Sequence, residues 1–126
     1  MATHTITADN IEASIRDNDI VILDFWASWC GPCMRFAPAF EASSEAHEDV
    51  FFGKIDTEDQ RPLSQELGIR SIPTLMVFRE NILVFREAGA LPPAALEELI
   101  TEVKKLDMDE VRSKIAEAEA AEAAES

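Results

Sequence analysis

Apolar and polar positions alternate along this chain in blocks, and the blocks delimit its elements. Thr3 to Thr7 is a short strand candidate. Ile11 and Ile15 stand one helical turn apart, and Thr7 or Asp9 can cap the brief helix they stabilise through about Asp17. Ile20 to Trp26 is almost continuously apolar and β-branched, the pattern of a central strand covered on both faces. A helical pattern from Pro32 to about His47 follows, with Ala37, Phe40 and Ser44 at helical spacing and Met34 alongside. Pro38 falls inside it, where it removes a hydrogen bond and predicts a kink. Asp49 to Thr57 is another inner strand. Pro62 to Leu67 is a short helix, with Gly68 as its natural stop.

Thr74–Phe78 and Ile82–Glu87 are two strands separated by Arg79-Glu80-Asn81, too short a link for a crossover, so they pair antiparallel. Pro92-Pro93 opens a helix whose inner face carries Leu96, Leu99, Ile100 and Val103. The order β-α-β-α-β-α-β-β-α predicts an α/β fold, a central mixed sheet flanked by helices on both faces. We divide the chain into a domain over residues 1–106 and an acidic Ala/Glu-rich helical extension over 107–126. Asp107 and Glu110 make a capping-box-like start to that extension, and Met108, Val111, Ile115 and Ala118 share one face.

Composition narrows the function. The 126 residues carry a formal net charge of −14, which argues against nucleic acid and anionic membrane as partners. Met1 to Asn10 lacks the features of a signal peptide, and no apolar run has the length of a membrane span. We therefore expect a cytoplasmic protein, a compartment in which a cysteine pair is more often catalytic or metal-binding than structural.

The chemistry gathers at the end of the central strand, in Trp29-Cys30-Gly31-Pro32-Cys33, which holds both cysteines. Pro32 suits the first helical position. Cys30 then lies just outside the helix, facing its free N–H groups and the positive end of its dipole, which favours the reactive thiolate. Cys33, one turn in, can close a small disulfide ring with it. The alternative is half of a zinc site, but only His4 and His47 remain to complete four ligands, and both lie far from the pair in the predicted fold. Asp24 is a carboxylate in an otherwise apolar central strand; desolvation should raise its pKa.

The Cys-Gly-Pro-Cys stretch, preceded by Asp24-Phe25-Trp26-Ala27 and followed by Ile72-Pro73-Thr74, resembles the thioredoxin family over roughly residues 4–106. The resemblance implies a protein-disulfide reductase. Cys30 attacks a substrate disulfide, and Cys33, with Asp24 as proton acceptor, resolves the mixed disulfide. It implies that Lys54 pairs with Asp24. It further implies that the bond before Pro73 is cis, with Ile72 offering free backbone groups to an extended substrate. Trp29, Gly31, Pro32, Ile72, Pro73 and Gly89 would form the substrate rim, with Ala90 beside them and Trp26 packing near the site. The implied partners are disulfide-containing proteins and a flavin-containing thioredoxin reductase using NADPH. The chain shows no nucleotide or flavin motif, and we expect no resident cofactor, no metal and a monomer. Two departures from the family pattern stand out: Met34 where many members carry lysine, and Asn81 where the turn often has glycine. Other functional classes are a partner-binding or holdase module with secondary redox activity, and an oxidant or isomerase of the same fold; Gly31-Pro32 resembles the reductases.

Overall fold

The computed structural model describes residues 2–125. Its first nine elements follow the expected order: β1 (Thr3–Thr5), α1 (Ile11–Arg16), β2 (Ile20–Trp26), α2 (Gly31–Ala46), β3 (Phe51–Asp56), α3 (Arg61–Glu66), β4 (Thr74–Arg79), β5 (Ile82–Ala88) and α4 (Pro93–Lys105), after which comes α5 (Met108–Glu125). The five strands form one sheet in the order β1-β3-β2-β4-β5. β1, β3 and β2 are parallel, whereas β4 runs antiparallel to both β2 and β5.

β2 sits at the centre because it can be buried on both sides. Val21, Leu23 and Phe25 face a cluster with Ile6, Ile55, Leu63 and Met76, covered by Ile11 and Ile15 of α1. Ile20 and Ile22 face the other cluster, where Phe36 and Phe40 of α2 meet Phe52, Leu75 and Val77, with Leu96, Ile100 and Val103 of α4. Each fully buried Phe or Ile contributes about 2–3 kcal/mol of hydrophobic stabilisation. Asp24 and Trp26 continue the row of Ile20 and Ile22, since side chains alternate along a strand, so Asp24 interrupts the apolar face that α2 covers.

Several expectations shift by a residue or more. β1 ends at Thr5, and neither Thr7 nor Asp9 caps α1; Asn10 holds the N-cap position without a side-chain capping bond, its Oδ1 accepting from the Thr7 N–H at 2.8 Å. Met34 does not join the buried face of α2 but is exposed, while Phe36 takes an inner position. Gly31 and not Pro32 begins α2, which puts the proline at its second residue. α3 ends as expected, with Gly68 just beyond it at φ +70°. In the β4–β5 turn Glu80 and Asn81 both have positive φ, 51° and 67°, the backbone of a two-residue turn matched to strand twist. Arg79 also does more than begin a turn: its Nη1 donates to the carbonyls of Val103, Lys104 and Leu106 and so closes the C-terminal end of α4.

α5 starts as expected. Asp107 Oδ1 accepts from the N–H groups of Asp109 and Glu110, but the Glu110 carboxylate pairs with Lys114 and does not complete a capping box. Of the expected stripe only Met108 is buried. Val111, Ile115 and Ala118 line an open groove of about 360 Å³ with Ile82, Leu83, Val84 and Leu106.

Candidate active site

The site forms where β2 ends and α2 begins. Cys30 is the N-cap residue of α2 in extended backbone conformation, and its Sγ accepts a hydrogen bond from the Cys33 N–H at 3.2 Å. The sulfur therefore occupies the place a capping oxygen takes at other helices, against free N–H groups and the positive dipole end. Cys30 and Cys33 are joined as a disulfide with Cα atoms 5.3 Å apart. Both are buried among Ala27, Trp26 and Ile72. On the far side of Cys30, Sγ lies 3.7 Å from the Ile72 carbonyl oxygen. A disulfide sulfur has no proton to donate, so this contact becomes an S–H···O bond only in the dithiol.

The Ile72–Pro73 peptide bond is cis, and Pro73 is buried. Its carbonyl accepts from the Gly89 N–H at 2.7 Å, which fastens the end of β5 to the site. Gly89 has φ +107°, and a Cβ there would meet nothing within 4 Å. Glycine is thus favoured at this position by its backbone angle and not by crowding.

Trp29 is 68% exposed beside Cys30, and its indole N–H donates to Glu58 Oε1 at 2.7 Å. Glu58 also pairs with Arg61, and these two bonds, the Trp29 one first, hold its carboxyl below the usual range. Sequence reasoning missed Glu58 and Arg61. Glu58 lies in the turn after β3 and Arg61 at the first residue of α3, a polar stretch with no periodicity, and only the fold carries it to the indole. Trp29, Glu58, Arg61, Arg70 and Ile72 line a groove of about 320 Å³ on one side of the disulfide. A second groove, about 290 Å³, is lined by Pro32, Arg35, Ala90 and Leu91 among others. A larger concavity, about 720 Å³, lies elsewhere, around His4, Glu48 and Asp49, and contains no group of the cysteine site.

Asp24 is fully buried, and neither carboxylate oxygen has a hydrogen-bond partner. Burial pushes its pKa up to about 7, and the nearby Lys54 opposes the rise. Asp24 and Lys54 are register partners on β2 and β3 and so share a sheet face. The Lys54 ammonium lies 5.0 Å from the centre of the Trp26 ring, within cation–π range, and among the described residues makes no ion pair within 4.0 Å. The fold brings Lys54 to Asp24 without a direct salt bridge.

His4 and His47, the zinc ligands of the alternative reading, are engaged elsewhere. His4 stacks on Phe51 with ring centres 4.3 Å apart. His47 caps the opposite end of α2, about 25 Å of helix from Cys30, and bonds Glu97 at 2.8 Å.

Comparison with known proteins agrees with this geometry. The family model described as Thioredoxin matches residues 2–105. A putative thioredoxin 2 of Streptomyces coelicolor is 51% identical over 119 residues, 94% of this chain and 89% of that protein. A match of that extent runs past the family domain into α5. A thioredoxin of Alicyclobacillus acidocaldarius is 38% identical over 103 residues, 81% of this chain and 98% of its own. Among solved structures, a mutant thioredoxin of Halobacterium salinarum superposes with TM-score 0.77 at 31% identity, covering 83% of this chain and 93% of the other. Spinach chloroplast thioredoxin f gives 0.75 at 32%, covering 82% and 95%. This chain accordingly belongs to the thioredoxin family and is a thiol-disulfide oxidoreductase with a redox-active cysteine pair.

Proposed function

We propose that the protein is a cytoplasmic protein-disulfide reductase, reduced in turn by a thioredoxin reductase. The observation that carries this reading is Cys30 Sγ seated as the N-cap of α2, accepting from the Cys33 N–H. In the dithiol, that seat favours a thiolate at Cys30. The thiolate attacks one sulfur of a substrate disulfide, and the other leaves as a thiolate, producing a mixed disulfide on Cys30. Cys33 then gives its proton to Asp24 and attacks Cys30 Sγ. The bond from Cys30 to substrate breaks, the second substrate thiolate leaves, and the Cys30–Cys33 disulfide returns. A carboxyl with a pKa of about 7 is suited to accept a proton near neutral pH and to release it again.

The substrate reading follows from the surroundings. Two grooves lie near the disulfide, one lined by Trp29 and Ile72 and one by Pro32 and Ala90. An extended segment lying across them would pair with the backbone of Ile72 by strand addition. The charge lost at Met34 is made up nearby. Arg35 reaches back over Gly31, its Nη1 3.1 Å from where a Cβ on Gly31 would be. A cytoplasmic location is supported by bacterial relatives. Among the described residues no helix is long and apolar enough to cross a membrane.

The test is insulin-type disulfide reduction coupled to thioredoxin reductase and NADPH. Turnover is expected for the parent, and a Cys33→Ser variant should hold substrates as stable mixed disulfides on Cys30. Tight client binding without coupled turnover would instead assign the chain to the binding modules of this fold.

A further inference from the structure

Beyond Asp24 and Lys54 stands a third charged group that the mechanism does not use. Cys33, Ala37 and Glu41 follow one another at four-residue spacing on α2 and so lie along one face of the helix. Glu41 is half-buried. Its Oε1 accepts from the Thr3 hydroxyl at 2.7 Å, while its Oε2 is buried without a partner. Glu41 and Lys54 line the same cavity, about 260 Å³, together with Thr3, His4, Trp26 and Asp56. A buried carboxylate oxygen lacking a hydrogen bond is costly unless a charge offsets it, and Lys54 is the one cation among the described residues that line this cavity. Lys54 in turn makes no ion pair within 4.0 Å with either acid among the described residues and rests over the Trp26 ring.

We propose that Glu41 is a positioning residue for the resolving step, a second carboxylate that shares with Asp24 the charge of Lys54, Glu41 from within this cavity and Asp24 as the register partner of Lys54 on the sheet. The proposal rests on the reading of Asp24 as the base for Cys33. Sharing weakens the pull of Lys54 on Asp24 and adds a like charge on the same side, so Asp24 keeps its proton to a higher pH than Lys54 alone would allow. The charged groups around the pair are Lys54 and Asp56 from β3, Cys33 and Glu41 from α2, and His4 from β1; β4 places the apolar Leu75 opposite Asp24. Of these, Glu41 is the one whose carboxylate is both buried and unpaired at one oxygen.

The experiment is a carboxyl-carbon NMR titration of Asp24 in the reduced full-length protein, run beside the pH profile for release of a mixed disulfide from Cys30. Glu41→Gln removes the charge and keeps the shape. The midpoint of Asp24 is expected to fall by about half a pH unit or more, with the release profile moving the same way. Glu41→Asp should return it toward the parent. Thr3→Val removes the hydrogen bond to Glu41 without removing charge and should leave the midpoint in place. An unmoved midpoint in Glu41→Gln overturns the proposal, and so does an equal shift in Thr3→Val, which would make Glu41 an anchor for β1. A shifted Asp24 midpoint with an unmoved release profile would uphold the sharing of Lys54 and overturn Asp24 as the base.

Discussion

Two helices of similar length show how differently a helix can be held in this molecule. α2, 16 residues, carries a proline in its interior and begins with Gly-Pro, yet it buries Cys33, Phe36, Phe40, Ser43 and Ser44. α5, 18 residues, is rich in alanine and glutamate, which favour helix, and buries Met108 alone. α2 exists because the sheet and α4 pack on it: Phe40 meets Phe52 edge-on at 5.2 Å, and Ser43 and His47 are both tied to Glu97 of α4. α5 exists by propensity, an Asp107 cap and ion pairs from Arg112 to Glu80 and Asp109. Such surface pairs contribute little. The reactive sulfur caps the helix that packing holds rigid, which keeps the dipole end and the Cys33 N–H aimed at it.

The largest expected effect breaks the packed helix at its start. Cys30→Ser should reduce reductase-coupled turnover at least a thousandfold, about 4 kcal/mol of transition-state stabilisation, while the melting curve of the reduced protein barely changes. Steady-state kinetics beside a thermal melt separate the two. Alkylation of the parent dithiol should favour Cys30 over Cys33, and equal rates at neutral pH would count against the capping argument.

Removing the packing itself comes next. Phe40→Ala should cost about 3–5 kcal/mol in a denaturant titration, because Phe40 is fully buried between α2 and the sheet. A matching change on α5, Ile115→Ala, should cost well under 1 kcal/mol, since Ile115 is 38% exposed.

Asp24 lies under α2 and sharpens the comparison through pH. Its folded pKa, about 7, is above the ordinary aspartate value of 3.8. The folded state therefore binds the proton more tightly, and this stabilising contribution is complete below about pH 4. It is lost as pH rises from there through about 7, and stays lost above. Asp24→Asn should flatten that part of the stability curve and raise stability at pH 8 by about 2 kcal/mol or more. The same variant should slow release of the mixed disulfide near neutral pH. An Asn variant less stable than the parent at pH 8 would show that the buried carboxylate has a compensating partner.

The smallest effect is expected at α5. Truncation after Leu106 should leave turnover within about tenfold of the parent, or about 1.4 kcal/mol. Stability should fall by about 2 kcal/mol or less, the worth of burying Met108. The Arg79 contacts that close α4 end at Leu106 and survive the cut. A larger loss of turnover would make α5 part of the working protein.

The sequence alone determined the elements, their order, the central place of β2, the buried acid and the redox chemistry of the dithiol. These rest on local signals: an unbroken β-branched run, proline and glycine at helix boundaries, and one carboxylate amid apolar neighbours. What tertiary structure decided is which distant groups meet. Glu58 reaches Trp29 across 29 residues, the Gly89 N–H reaches the Pro73 carbonyl, and Arg79 closes a helix that begins 14 residues later. None of these has a periodic signature, because each is a polar contact between groups that meet only once the sheet is assembled. Which surface the loosely seated α5 meets was likewise a tertiary matter. Its stripe of Met108, Val111, Ile115 and Ala118 has the spacing of a buried face, but β5 offers it only an open edge strand. Helical spacing specifies which side chains can be buried together, and only the surface they meet decides whether they are.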